Sequence, residues 1–230
     1  MSERVLLITG ASSGIGAETG RRAARSGYRV VLAARSLDRV RDLASELGGA
    51  DRALAVQCDV TDSDSQQAMV SSALEHFGRL DAVFANAGIG GSPGGFSGAD
   101  PAVWRDMILT NVYGVGLTLR HTIDALKRSQ GHLLVTGSAA GRATIPGSMY
   151  SATKWAVSAI GYGVREELRG TGIRVTLIEP GMVDTPFFDE RPGHALKPDD
   201  VAAAVLYALA QPQHVDVNEI LVRPTPPLGD

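Results

Sequence analysis

The chain has 230 residues, 44% hydrophobic and 20% charged, enough for one domain with a sizeable core. A net charge of −3, with the arginines scattered, leaves neither a nucleic-acid footprint nor a basic membrane-surface patch. Cys58 is the single cysteine, which excludes an internal disulfide, and no Cys/His spacing suggests zinc; it reads as a small buried apolar residue, and no metal is expected. No apolar run reaches the roughly 18 residues of a membrane span, and the apolar part of "MSERVLLITG" is too short for a signal peptide. A cytoplasmic protein with one domain over 1–230 is the expectation.

Short β-branched runs alternate with longer helical segments. "RVLLITG" (4–10) reads as a buried strand, and 14–26 as a helix closed by Gly27. "YRVVLAA" (28–34) is a second strand. A helix over 36–47 carries Leu37, Val40, Leu43, Ala44 and Leu47 at helical spacing. "RALAVQCDV" (52–60) is a third strand, and Thr61 or Asp62 caps a helix that runs to Phe77. "LDAVFANAG" (80–88) is a fourth. After a glycine-rich loop (90–98), a helical pattern runs from Pro101 to Arg128, as one helix or two. "GHLLVTGS" (131–138) is a fifth strand, 148–170 a helix and "IRVTLIEPG" (173–181) a sixth strand. Pro198 and Asp199 open a helix over 199–210, "NEILVRP" (218–224) is a short last strand, and the Pro-rich tail frays. Continuous Val/Ile/Leu strands between helices imply a parallel sheet covered on both faces. The fold class is therefore α/β: a Rossmann-like, doubly wound parallel sheet of about seven strands.

"TGASSGIG" (9–16) follows the first strand and opens the first helix. In that setting Gly10 makes the tight turn, Gly14 lets backbone approach a pyrophosphate, and Gly16 lets the helix lie close to the sheet. The free N–H groups at the helix start favour a phosphate. In such a fold an acid about twenty residues later holds the ribose 2′-hydroxyl. Here strand two ends with Ala34, and Arg35 follows. A guanidinium forks onto a phosphate, so NADP(H) is favoured over NAD(H), with Ser12 or Ser13 as a further donor and Arg39 one turn on. Farther along, Tyr150 and Lys154 stand four apart on a helix and share one face. A lysine charge about 4 Å away is worth about 4 kcal/mol at an effective dielectric of about 20. That predicts a phenol brought down by up to about 3 pK units, into the range of a general acid/base.

The wider spacing of Gly10, Gly14 and Gly16 resembles that of the short-chain dehydrogenases/reductases, and the resemblance covers nearly the whole chain. "TGASSGIG" is similar to the family's cofactor motif, which brings Ser12, Ser13 and Ile15 to the dinucleotide with the three glycines. "CDV" places Asp59, with Val60 beside it, where the family contacts adenine. "ANAG" resembles the family's "NNAG", with Ala85 in place of the first Asn, and implies cofactor contacts for Asn86, Ala87 and Gly88. "PGMVDT" is similar to the "PGxxxT" segment near the nicotinamide, implying Pro180, Gly181, Val183 and Thr185. Asn111, Ser138, Tyr150 and Lys154 match the catalytic Asn, Ser, Tyr and Lys. What the resemblance implies is hydride transfer between the nicotinamide and a carbinol carbon. Tyr150 exchanges the proton and Ser138 orients the oxygen. Lys154 lowers the Tyr150 pKa and holds the ribose, and Asn111 anchors a water leading from Lys154 to solvent.

The expected function is an NADP(H)-dependent oxidoreductase interconverting a small-molecule carbonyl and an alcohol. The alternatives are an NAD-dependent alcohol dehydrogenase and a catalytically silent NADP-binding redox sensor. In the family that the chain resembles, the segment after "PGMVDT" forms the substrate lid; here it is "PFFDERPGHALKPDD" (186–200), short for that role. Phe187 and Phe188 either close over an apolar substrate or pack within the lid or against another subunit, and Arg191, His194 and Lys197 face an acidic group or solvent. "HVDVNEILVRPT" is similar to the ending of NADP-dependent 3-hydroxy acid and serine dehydrogenases. Gly114, Gly116, Gly161 and Gly163 allow close helix approach, either within the chain or across the two-fold axis of a homodimer or homotetramer. His121 and His132 read as packing or surface residues; Trp155 and Met149 either line the site or pack.

Overall fold

The computed structural model describes residues 4–91, 94–188 and 192–226. Its strands are β1 (Val5–Thr9), β2 (Arg29–Ala34), β3 (Ala53–Gln57), β4 (Ala82–Ala85), β5 (His132–Thr136), β6 (Arg174–Pro180) and β7 (Glu219–Val222). They form one parallel sheet in the order β3-β2-β1-β4-β5-β6-β7. The chain builds outward from β1 to β3, then returns to place β4 on the other side of β1. That reversal opens a crevice at the carboxyl ends of β1 and β4, where such sheets bind ligands.

Strand side chains alternate between two cores. Val5, Leu7, Val83, Leu133 and Val175 pack on one face with Met69, Leu119 and Val157. Leu6, Ile8, Phe84, Leu134 and Ile178 pack on the other with Ala23, Leu43 and Val205. Burial on both faces explains the unbroken apolar runs, since each such side chain contributes about 1.5–3 kcal/mol when fully removed from water.

The helices are α1 (Gly14–Arg25), α2 (Leu37–Glu46), α3 (Ser63–Phe77), α4 (Gly95–Gly98), α5 (Pro101–Ile108), α6 (Gly114–Ser129), α7 (Met149–Glu167) and α8 (Pro198–Ala210). Asp62 is the residue that caps α3, accepting from the Asp64 N–H at 3.2 Å, whereas the Thr61 hydroxyl donates to Asp59. A π-helical turn, Leu109–Tyr113, joins α5 to α6, so 101–129 is one helical run with a wide turn in its middle. Asn111 lies inside that turn, a feature frequent at functional sites. The stretch expected to be loop over 90–98 contains the single turn α4; glycine content conceals it, because glycine has poor intrinsic helix propensity. The last residues of the tail, 227–230, lie outside the described residues.

The four helix glycines divide into two pairs. A Cβ on Gly114 would stand 3.0 Å from Val60, and one on Gly161 2.6 Å from Leu177. Packing within the chain therefore accounts for these two. A Cβ on Gly116 or Gly163 would meet nothing within 4 Å. Gly161→Ala should accordingly destabilise by about 1–3 kcal/mol through overpacking. Gly163→Ala should be neutral or stabilise by up to about 1 kcal/mol. Urea unfolding of the two variants checks the contrast.

Candidate active site

A cleft of about 1080 Å³ opens along the carboxyl ends of the strands. Its floor is the turn between β1 and α1. Gly10 has φ +67°, and a Cβ there would lie 2.8 Å from the Ala87 Cα. A Cβ on Gly16 would lie 2.4 Å from the Gly10 carbonyl oxygen. Ser13 precedes α1 without making a side-chain cap, and the first turn of α1 holds no acid. The first amides of α1 thus face the cleft with a positive dipole end and no internal anion, a chemistry that fits a dinucleotide pyrophosphate.

A chain of hydrogen bonds runs from this turn across three strand ends. The Thr9 hydroxyl oxygen accepts from the Asn86 and Ala87 N–H groups at 3.0 and 3.1 Å. The Asn86 side-chain amide donates to the Thr9 carbonyl at 3.0 Å, and its oxygen accepts from the Thr136 hydroxyl at 3.2 Å. The Thr136 carbonyl in turn accepts from Lys154 Nζ at 2.8 Å. Thr9 and Thr136 were not singled out in the sequence, where they read as ordinary strand residues.

Ser138 follows β5 and caps a short 3₁₀ turn (Ala139–Gly141), its hydroxyl oxygen accepting from the Ala140 N–H at 3.1 Å. Ser148 caps α7 and sets the start of the helix that presents Tyr150 and Lys154. Lys154 Nζ lies 5.7 Å from the centre of the Tyr150 ring. Contrary to expectation, Lys154 does not lower the Tyr150 phenol. Burial pushes Tyr150 above its ordinary value, with the side-chain hydrogen bond to Ser138 as the opposing influence. Burial also lowers Lys154, to about 8. Desolvation disfavours the charged form of both groups, so it outweighs the attraction inferred from spacing alone.

Asn111 is buried behind this wall. Its side-chain amide donates to the Ile89 carbonyl at 2.8 Å and to the Thr153 hydroxyl at 3.1 Å, and its oxygen accepts from the Ile89 N–H at 2.9 Å. A Cβ on Gly88 would lie 3.3 Å from Asn111 Oδ1 and 3.7 Å from Lys154 Nζ, so Gly88 lets both approach the cleft wall.

Nearly every residue picked out in the sequence lines the cleft, from Ser12, Ser13, Gly14 and Ile15 at the floor to Pro180, Gly181, Val183 and Thr185 at the rim. Gly16 and Asn111 stand directly behind its surface. At the far end Arg35 and Arg39 are exposed and line the cleft with Ser36, which sequence reasoning passed over. Asp59 lies beside them. The Thr61 backbone N–H holds its carboxyl below the usual range, against burial, with the Thr61 hydroxyl and the Arg35 charge adding to the effect. Cys58 is buried, which raises its thiol to about 11. His132 bonds Thr176 at 2.7 Å and His121 bonds Ser63 at 3.0 Å, both packing roles. His194 contacts the Thr225 carbonyl; Met149 and Trp155 lie off the cleft. Arg191 lies outside the described residues. Among the described residues there is no metal-ligating cluster and no helix long and apolar enough to cross a membrane.

The family model for short chain dehydrogenases matches residues 4–194. The chain belongs to that family. An uncharacterized oxidoreductase of Staphylococcus saprophyticus is 38% identical, across 97% of this chain and 98% of its own. An alcohol dehydrogenase from the archaeon Thermococcus sibiricus, solved with 5-hydroxy-NADP, superposes with a TM-score of 0.87 at 36% identity, covering 95% of each chain. Serine dehydrogenase from Escherichia coli does so with a TM-score of 0.86 at 32% identity, covering 94% and 96%. The protein is thus an oxidoreductase of the short-chain family, acting on CH–OH groups or their carbonyl counterparts with a nicotinamide dinucleotide.

Burial of Lys154 has a measurable sign. Its folded pKa of about 8 lies below the ordinary 10.5, so the unfolded chain binds more protons between these values. The contribution of Lys154 to stability should be flat below about pH 8 and rise, by about 3 kcal/mol in all, up to the ordinary value. Unfolding curves of the wild type minus those of Lys154→Met should show that rise; a flat difference would contradict the burial.

Proposed function

We propose that the protein is an NADP(H)-dependent carbonyl reductase in which Tyr150 is the general acid and one domain, 1–230, carries both the cofactor and the catalytic residues. The observation that carries this reading is the meeting of Ser138, Tyr150 and Lys154 at one wall of the cleft. A protonated phenol is the form that donates. When bound, the nicotinamide supplies the hydride. The Ser138 hydroxyl orients the carbonyl oxygen. Tyr150 Oη gives its proton to that oxygen as charge develops there, yielding the alcohol. Lys154, fixed by the Thr136 carbonyl, places an ammonium beside the phenol and limits the cost of the transient phenolate. Asn111 holds the Ile89 backbone and, through Thr153, the first turn of α7. A silent NADP binder would need none of these groups.

Preference for NADP over NAD rests on Ala34, where an acid would hold a 2′-hydroxyl, and on Arg35 and Arg39 beside it. The catalytic end is apolar. The Phe187 ring lies edge-on to Tyr150 with centroids 5.5 Å apart, so close over Gly90 that a Cβ there would stand 2.1 Å from the ring. Phe188, Ile145 and Met182 are exposed at the same mouth. An aldehyde or ketone flanked by an apolar group suits that wall. Tyr113, Trp155 and Tyr162 expose large rings on the π turn and α7, near the open Gly116 and Gly163, and support a homo-oligomer formed through these helices.

NADPH consumption across a panel of aldehydes, ketones, β-keto acids and quinones tests the reading. Tyr150→Phe should lower kcat by about 10²–10⁴ with NADPH affinity nearly unchanged; full turnover by that variant would refute the acid role. Arg35→Ala should weaken NADPH by about tenfold or more, the worth of a lost charge-assisted hydrogen bond, and NADH far less. Equal losses for the two cofactors would count against the NADP assignment.

A further inference from the structure

The carboxylate of Glu179, near the end of β6, is fully buried and lies outside the group of residues assigned above. Its partners come from the Ser138 turn and from α7. Arg142, the residue that closes the Ser138 turn, donates from Nε to both carboxylate oxygens at 2.9 Å, and its NH2 nitrogen lies 2.7 Å from Oε2. Ser158 of α7 donates to Oε1 at 3.2 Å. The next residue, Pro180, presents the carbonyl that the Ser138 hydroxyl faces at 3.4 Å. A Cβ on Gly137 would stand 2.8 Å from Glu179 Cγ, so the chain before Ser138 passes directly over this side chain.

The network extends in one direction. Arg142 also pairs with Glu219 of β7, and the same carboxylate holds the Tyr162 phenol above its ordinary value. Hydrogen bonds to Glu179 and then Glu219 raise the Arg142 guanidinium above its ordinary value. Tyr150, Lys154, Ser158 and Tyr162 therefore form one stripe at i, i+4, i+8 and i+12 on α7. Its upper half faces the cleft and its lower half grips the two acids. A buried ion pair contributes little net stability relative to well-packed apolar groups, so stability alone gives a weak reason for a charge here. Its geometric effect is specific: a planar fork ties the Ser138 turn to β6 and β7, and Glu179 itself reaches α7 through Ser158.

We infer that Glu179, acting with Arg142, is a positioning residue that holds the Ser138 hydroxyl in register with Tyr150. The inference rests on the proposed role of Ser138 and Tyr150, and it is separable from that role by experiment. Glu179→Gln keeps the side-chain shape and removes the charge. It should lower kcat roughly ten- to a hundredfold, as a small misplacement of a reacting group does, with KM for NADPH unchanged. Ser138→Ala should also lower kcat. In the Ser138→Ala background, Glu179→Gln should cost less than about twofold more, because a group that acts through Ser138 has nothing left to position.

Arg142→Gln, at a partly exposed position, should give the same pattern, and it serves if Glu179→Gln does not fold. Arg142→Lys, which keeps the charge without the fork, should fall between Arg142→Gln and the wild type. Amide exchange gives a readout without turnover: the Ala140 and Gly141 N–H groups, which donate to Ser138, should exchange faster in Glu179→Gln and Arg142→Gln. Equal losses with and without Ser138, or unchanged exchange at Ala140 and Gly141, would overturn the inference while leaving the proposed function standing. If Ser138→Ala or Tyr150→Phe turned over normally, the reading of the site would fall instead, and the exchange at Ala140 would still decide whether Glu179 holds the turn.

Discussion

Three strand ends must meet at one point for this protein to have a site, and the Thr9–Asn86–Thr136 hydrogen bonds make them meet. Parallel strands are set side by side by ladder bonds, but those bonds stop where the strands stop. Beyond that limit the chain turns into loops, and loop backbone buried without partners is costly. Asn86 meets this requirement with its own backbone N–H and both ends of its side chain, tying β4 to β1 on one side and to β5 on the other. The Thr136 carbonyl carries the same chain of bonds to Lys154. The glycine turn and the lysine wall are thereby fixed relative to each other across the crevice.

Burial does the electrostatic work at that wall. Lys154 is buried and Tyr150 half-buried at the cleft surface, and desolvation biases each toward its neutral form. The bias matters differently for the two directions of reaction. A phenol kept protonated is ready to donate to a carbonyl oxygen, whereas alcohol oxidation must first take that proton away. A charge arriving beside the phenol would ease loss of its proton.

Much of this was legible in the sequence because the signals are local. Glycines at 10, 14 and 16 sit on a strand-to-helix turn whose geometry admits few other residues, and Tyr150 and Lys154 four apart on a helix share a face by necessity. The alternation of apolar runs gave the seven parallel strands. What stayed hidden depends on tertiary placement. The Glu179–Arg142 pair joins residues 37 apart in the chain, and nothing local marks it. The direction of the Tyr150 shift needs its burial, which spacing does not report. The π turn at Asn111 interrupts a pattern that still reads as helix, and α4 forms from glycines whose intrinsic preference opposes it.

The central claim is that this cleft moves a hydride from a nicotinamide to a carbonyl carbon while Tyr150 supplies the proton. Reduction with NADPH deuterated at C4 of the nicotinamide tests it directly. The account predicts deuterium at the carbinol carbon of the product with the wild type, and labelled product formed about 10²–10⁴ times more slowly with Tyr150→Phe. NADPH oxidation that left the carbon unlabelled, or labelling by the Tyr150 variant at the wild-type rate, would contradict it.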